Sequence, residues 1–221
     1  MSIRILTLTF ALLLVMVGLL RLSAYAPSIL SAYAEYATFL YIAGTIFFAV
    51  ALGRPGVSMQ RVGFFRPPEL RDIGLAVLGV LILQASGAWL GPVWGELFGA
   101  GRDLGRFDTV SGDLGVLLSV LLLSWTVAAF GEEITFRVVL MRGIAASLGK
   151  GRVAMLLALV LQAVVFGFVH IYQGPAGVAS STISGLVFGA LVLAPRGAIW
   201  PAALAHGFNN TIGLLALYHA P

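Results

Sequence analysis

The sequence contains no cysteine and few charged residues, and both absences restrict what the protein can be. Without cysteine there are no disulfides and no thiolate ligands for a metal. Charged residues make up 10% of the chain, whereas a soluble domain carries about a quarter. Hydrophobic residues make up 60%, and the mean hydropathy is +1.02. The chain is therefore predicted to be an integral membrane protein surrounded by the lipid bilayer.

A basic groove interleaved with aromatic residues is also absent, although the net charge is +4. In a membrane protein such a charge reports the topology of the chain, so no nucleic-acid partner is predicted. There is also no internal repeat and no low-complexity tract.

The apolar runs predict an all-α fold, a polytopic transmembrane helix bundle of about seven spans. Each run approaches or exceeds the roughly 20 residues that cross a bilayer. The runs cover residues 5–24, 28–53, 72–99, 114–148, 153–173, 177–194 and 198–218. They form a single membrane domain over 1–221, with N-terminal spans over 1–110 and a catalytic helix core over 111–218.

Two of these spans have distinctive features. Asp113 is the predicted N-cap of the fourth span, which is too long for one straight crossing and must tilt, project into the cytosol or break near Gly131. The first span is predicted to be an uncleaved anchor, although Ala24-Tyr25-Ala26 is similar to a signal-peptide cleavage site.

The distribution of basic residues predicts the orientation. With seven spans, nine lysines and arginines fall on one side and only Arg21, Arg102 and Arg106 on the other. Because cytoplasmic loops carry the excess of basic residues, the N-terminus is predicted to be cytoplasmic and the C-terminus outside.

The fourth span contains two adjacent carboxylates, Glu132 and Glu133, in an otherwise apolar stretch. An ionisable residue in a membrane span costs several kcal/mol and indicates a functional site. Glu133 and Arg137 are four residues apart and are predicted to pair on one helix face. Glu132 is predicted to point about 100° away from Glu133 and to take part in the chemistry. A purely structural ion pair would account for Glu133 and Arg137 but not for Glu132.

Two further polar clusters lie in the fifth and seventh spans. Phe166 and His170 share a helix face, and Gly167 between them allows another helix to approach closely. His206 and Asn210 also share a face and must find partners or water. Gly185 and Gly189 in the sixth span indicate close helix packing.

These side chains predict a water-activating site for amide hydrolysis. Glu132 is the predicted general base, helped by His170, while His206 and Asn210 donate hydrogen bonds to the oxyanion. No cofactor is favoured. However, zinc held by Glu132, His170 and His206 remains an open alternative, since two histidines and a glutamate form a known catalytic zinc set.

The ordered motifs Glu-Glu-x-x-x-Arg, Phe-x-x-x-His and His-x-x-x-Asn resemble those of the CPBP family. This family comprises type II CAAX prenyl endopeptidases and Abi or bacteriocin-processing proteins, which are glutamate-type intramembrane proteases. The resemblance covers about residues 111–218. It implies that Glu132, His170, His206 and Asn210 are catalytic, with Glu133, Arg137 and Phe166 in supporting positions.

Motifs of other intramembrane proteases are missing. There is no His-Glu-x-x-His, Val110 replaces the first glycine of a Gly-x-Gly-Asp motif, and Thr182 replaces a rhomboid glycine before Ser184. The family resemblance implies a membrane-tethered protein or peptide substrate, with either a CAAX-like C-terminal tail, prenylated or not, or another peptide segment. Two alternatives remain: a catalytically silent member acting as an immunity or binding protein, and a proton-coupled transporter.

Overall fold

The computed structural model describes residues 67–149, 151–194 and 198–220, with a few isolated positions before residue 67. The predicted spans over 5–24 and 28–53, and the choice between anchor and signal peptide, therefore lie outside the continuously described residues.

The described part is helical and contains no β-strand, which confirms the predicted all-α fold class for these residues. The helices are α1 (Leu70–Phe98), α2 (Leu114–Ser147), α3 (Arg152–Phe168), α4 (Gly174–Leu193) and α5 (Trp200–Tyr218). They match the third to seventh predicted spans to within a few residues. Short 3-10 turns cover Gly105–Val110 and Ile171–Gln173.

Three segments in the described part are long and apolar enough to cross a membrane: Leu70–Phe98, Leu114–Ser147 and Ile171–Leu193. The helix Arg152–Phe168 is apolar but shorter. Length and composition thus agree with a membrane protein.

Polar caps fix where α1 and α2 begin. The Asp113 carboxylate accepts a hydrogen bond from the Val116 amide at 3.0 Å, so Asp113 is the N-cap of α2 as predicted. At the start of α1, Asp72 accepts from the Glu69 amide at 2.9 Å and forms a capping box. These bonds satisfy amide groups that a first helical turn leaves without partners.

Helix α2 has a wide central section. Residues Ser124–Met141 are π-helical, between α-helical sections at Leu114–Leu123 and Arg142–Ser147. The chain passes through Gly131 without a break, which was one of the three alternatives for this long span. Because each π-helical amide bonds one residue further back than in an α-helix, the wider turns rise less per residue. Widening thus shortens a span that is too long as a regular α-helix.

Small residues bring α3 and α4 close together. A Cβ on Gly185 would lie 2.8 Å from the Ala163 Cα, and one on Gly167 would lie 2.7 Å from the Val178 carbonyl oxygen. A side chain on Gly189 would overlap Leu159. The predicted packing roles of Gly167, Gly185 and Gly189 are therefore confirmed. This packing places the end of α3 beside the middle of α2.

Three segments meet at one end of the bundle, which we call the site end: the loop 99–113, the turn 169–173 and the C-terminal end of α5. The Gly112 amide donates to the Tyr218 carbonyl at 3.1 Å, and the Asp103 amide donates to the Gln173 carbonyl at 3.0 Å. The turn between α2 and α3 lies at the opposite end.

Candidate active site

Glu133 links two helices at the centre of the candidate site. Its Oε2 lies 3.1 Å from Arg137 Nε, and its Oε1 lies 2.8 Å from Nδ1 of His206 on α5. Glu133 and Arg137 are fully buried, and His206 is 5% exposed. The Glu133–Arg137 pair was predicted from their spacing, but the contact with His206 was not. Contacts with two potential cations offset part of the free-energy cost of removing the Glu133 carboxylate from water.

Aromatic rings enclose this charged group. Phe188 stacks on His206 with ring centroids 4.5 Å apart and an interplanar angle of 15°. Phe166 contacts His206 edge-on at 6.1 Å. Arg137 Cζ lies 4.5 Å from the Phe166 ring and 5.3 Å from the Phe188 ring. The rings stabilise the guanidinium through cation–π contacts and exclude water.

The Gly185 carbonyl binds two buried side chains. Gln162 Nε2 donates to it at 2.9 Å, and Arg137 Nη2 lies 3.4 Å from it. Gln162 is fully buried in α3 and was not predicted as part of the site. The sequence signal that could have identified Gln162 is its side-chain amide among the apolar residues of a membrane span. Phe188 was missed because nothing distinguishes it from a lipid-facing phenylalanine.

Glu132 lies beside Glu133 in the π-helical section and is 6% exposed. Its backbone carbonyl accepts the Thr135 hydroxyl at 3.1 Å. This section therefore carries both carboxylates into the protein interior.

His170 follows α3 and lies in the turn to α4, whereas the sequence placed it near the end of a longer helix. Its Nδ1 lies 2.8 Å from the Phe166 carbonyl oxygen. A carbonyl oxygen only accepts, so Nδ1 carries the proton and Nε2 of the neutral ring is a proton acceptor. The Phe166 ring lies 4.8 Å from His170 and also contacts His206. Phe166 thus separates the two imidazoles.

Asn210 lies one helical turn after His206 and contacts α2. Its Nδ2 donates to the Ser124 hydroxyl at 3.1 Å. The neighbouring Asn209 instead accepts from Gln84 on α1 at 2.9 Å. Ser124 is a further site residue that the sequence did not identify. Ser184, interpreted from sequence as a packing residue, bonds the Ser180 carbonyl of its own helix.

The spacing of the potential ligands determines whether the site could hold a metal ion. Within residues 67–149, 151–194 and 198–220, no three His, Asp or Glu side chains are grouped so that they could hold a metal ion. The alternative zinc set of Glu132, His170 and His206 does not form such a group, and Glu133 already binds His206 Nδ1. We therefore assign no chemical step to zinc.

The fold and site define a helical membrane protein with a buried polar centre. Residues 114–212 match the family model of the type II CAAX prenyl endopeptidase Rce1-like proteins. The match covers 99 of the 221 residues and contains all three motifs, which supports the family resemblance. No curated protein and no solved structure matched the chain.

Proposed function

We propose that the chain is an intramembrane endopeptidase that hydrolyses a peptide bond in a membrane-tethered, CAAX-like substrate by a metal-independent glutamate mechanism. The observation that carries this proposal is the buried arrangement of Glu133, Arg137 and His206 beside Glu132. A structural ion pair needs one carboxylate, and this segment buries two. The Rce1-like match supports peptide hydrolysis as the reaction.

Glu132 and His170 are the proposed water-activating residues. Glu132 is 6% exposed, so bulk water does not compete for its carboxylate. The hydrogen bond from His170 Nδ1 to the Phe166 carbonyl makes Nε2 the acceptor nitrogen of the neutral ring, and we assign to Nε2 a hydrogen bond from the same water. Glu132 then takes the proton from the water as hydroxide attacks the peptide carbonyl, and it later donates a proton to the leaving amine.

His206 and Asn210 are the proposed oxyanion-stabilising residues. If His206 Nδ1 donates to Glu133, a neutral ring has only an acceptor at Nε2. In that arrangement, His206 donates to an oxyanion from Nε2 only when both ring nitrogens carry a proton. Asn210 can supply a second donor near Ser124. A single donor of this kind contributes about 2.7–4 kcal/mol to transition-state stabilisation.

Cleavage by purified protein in liposomes tests the general base. The substrate is a prenylated peptide ending in a CAAX tail, meaning cysteine, two aliphatic residues and one further residue. Glu132→Gln should lose about 10²- to 10⁴-fold in kcat/KM, while the control Glu96→Gln, at an exposed position on α1, should match wild type. Equal cleavage by wild type and Glu132→Gln would overturn the assignment.

Exhaustive chelation tests the metal-independent mechanism. We expect full cleavage activity in protein whose metal content has been measured as zero. Loss of activity that is restored stoichiometrically by zinc would contradict the glutamate mechanism and identify a metalloendopeptidase.

A further inference from the structure

The turn that carries His170 is fastened to the loop 99–113. Arg102 donates from Nε and Nη2 to the Gln173 side-chain oxygen at 3.1 and 2.7 Å. The Asp103 amide donates to the Gln173 backbone carbonyl at 3.0 Å. Gln173 is 3% exposed. This set of bonds fixes Arg102 at the site end of the bundle, beside the proposed water-activating histidine.

A second arginine reaches the same turn. Arg106 Cζ lies 4.5 Å from the centroid of the Tyr172 ring, and that ring lies 5.9 Å from the His170 ring. Arg106 is thus separated from His170 by a single aromatic side chain. Both arginine side chains are exposed to solvent.

Neither guanidinium group is neutralised by an acidic side chain of the described residues. Within residues 67–149, 151–194 and 198–220, the ion pairs of Glu133 with Arg137 and His206 involve neither of these arginines. In the same loop, Asp103 accepts from the Gly105 amide at 2.9 Å, Asp113 caps α2, and Asp108 is exposed two residues after Arg106. Desolvation by the surrounding protein lowers the pKa of Arg102, but a guanidinium stays cationic at neutral pH.

An apolar cavity of about 570 Å³ opens on the same turn. Its lining includes Phe98, Phe168, Ile171, Pro175 and Val178. Apolar lining beside two cations suits the end of a peptide, because the last side chains are apolar while the terminal carboxylate is anionic. Arginine binds carboxylates through paired, charge-assisted hydrogen bonds.

We propose that Arg102 and Arg106 bind the free C-terminal carboxylate of the substrate, while the apolar cavity accepts the side chains next to it. The two arginines then fix the distance between the end of the chain and the cleaved bond. This inference rests on the proposed protease function and adds to it a requirement for a free C-terminus.

Two peptides of identical sequence, one with a free C-terminal carboxylate and one with a C-terminal amide, test the inference. In neutral phosphatidylcholine vesicles, wild type should cleave the acid about ten- to a hundredfold better in kcat/KM than the amide. Arg106→Gln should lower cleavage of the acid by a similar factor and leave cleavage of the amide unchanged. Arg102→Gln also removes the bonds to Gln173, so it should lower cleavage of both peptides, and that of the acid by the larger factor. The control Arg152→Gln, exposed at the opposite end of α3, should behave as wild type.

Each contrary result has a separate meaning. Equal cleavage of acid and amide by wild type would overturn the carboxylate site but leave the protease function intact. No cleavage of either peptide would contradict the protease function itself. If the arginine variants lost activity on both peptides, and only in vesicles containing anionic lipid, the arginines would bind lipid headgroups and the inference would be wrong. Cleavage of the peptide with the C-terminal amide also reports on folding, since a misfolded variant would cleave neither peptide.

Discussion

At the scale of single residues, the proposal gives the two neighbouring glutamates different roles, and substitution should separate those roles. Glu133→Gln removes the charge that compensates the fully buried Arg137. Breaking a buried pair in this way costs about 3–5 kcal/mol of stability. We expect a low yield of folded protein and a lower midpoint of thermal unfolding in detergent. Glu132→Gln should retain the wild-type midpoint while losing activity.

The comparison uses Glu96→Gln as its control, because that side chain is exposed on α1. A Glu133→Gln protein that folds normally but is inert would show that the two carboxylates are assigned the wrong way round.

Two substitutions distinguish what each ring nitrogen of His206 does. In His206→Asn, the side-chain amide nitrogen can replace Nδ1 and keep the bond to Glu133. In His206→Gln, the side-chain amide nitrogen can replace Nε2 and keep a hydrogen-bond donor toward the substrate. If His206 stabilises the oxyanion, His206→Gln should retain more kcat than His206→Asn, by about tenfold or more.

Thermal unfolding of both variants separates this effect from stability, because His206→Asn should be the more stable of the two. Greater activity in His206→Asn would contradict the oxyanion assignment.

Residue spacing predicted one of the two contacts of Glu133. Arg137 is four positions away, so helix geometry alone brings the two together. His206 lies 73 residues away, and the sequence does not specify which carboxylate it meets. The motifs named Glu133 and His206 in separate polar clusters, because pairing across helices depends on how α2 and α5 rotate against each other. That rotation depends on packing residues such as Phe188, which carry no local signal.

At the scale of helices, close packing of α4 on α3 should depend on Gly185. A methyl group there would lie 2.8 Å from the Ala163 Cα, so the helices would have to separate. The separation would also move the Gly185 carbonyl away from Gln162 and Arg137. We expect Gly185→Ala to lower the thermal midpoint and reduce activity, at a cost of about 1–3 kcal/mol.

The matched control is Gly74→Ala on α1, where no atom lies within 4 Å of the added methyl. Alanine has the higher helix propensity by up to about 1 kcal/mol, so this control should be neutral or slightly stabilising. An equal loss in both variants would show that helix packing at Gly185 is not the cause.

Most boundaries of the described helices could be predicted from sequence, apart from the end of α3 at Phe168, while their internal geometry could not. Apolar runs and caps such as Asp113 locate the ends, because they report transfer into lipid and the satisfaction of amide groups. The π-helical section Ser124–Met141 has no comparable signature. Its wider turns depend on which neighbours α2 must contact, and those neighbours lie in α3, α4 and α5.

At the scale of the whole molecule, the distribution of basic residues predicts how the helix bundle is oriented in the membrane. The basic-residue bias places the turn between α2 and α3 in the cytoplasm, so the site end, with Arg102 and Arg106, should face outward. The chain lacks cysteine, and a single introduced thiol can therefore report each side. Thr109 and Arg152 are both exposed and lie at opposite ends of the bundle.

We expect Thr109→Cys to react with a membrane-impermeant maleimide in intact cells, and Arg152→Cys to react only after permeabilisation. Cleavage of the test peptide by each labelled-site variant before labelling verifies that both are folded. The reverse labelling pattern would contradict the predicted orientation and place the site end in the cytoplasm. The result also identifies the side of the membrane from which the substrate reaches the site, because His170 lies at the site end. A substrate tail must therefore enter from whichever side Thr109 occupies.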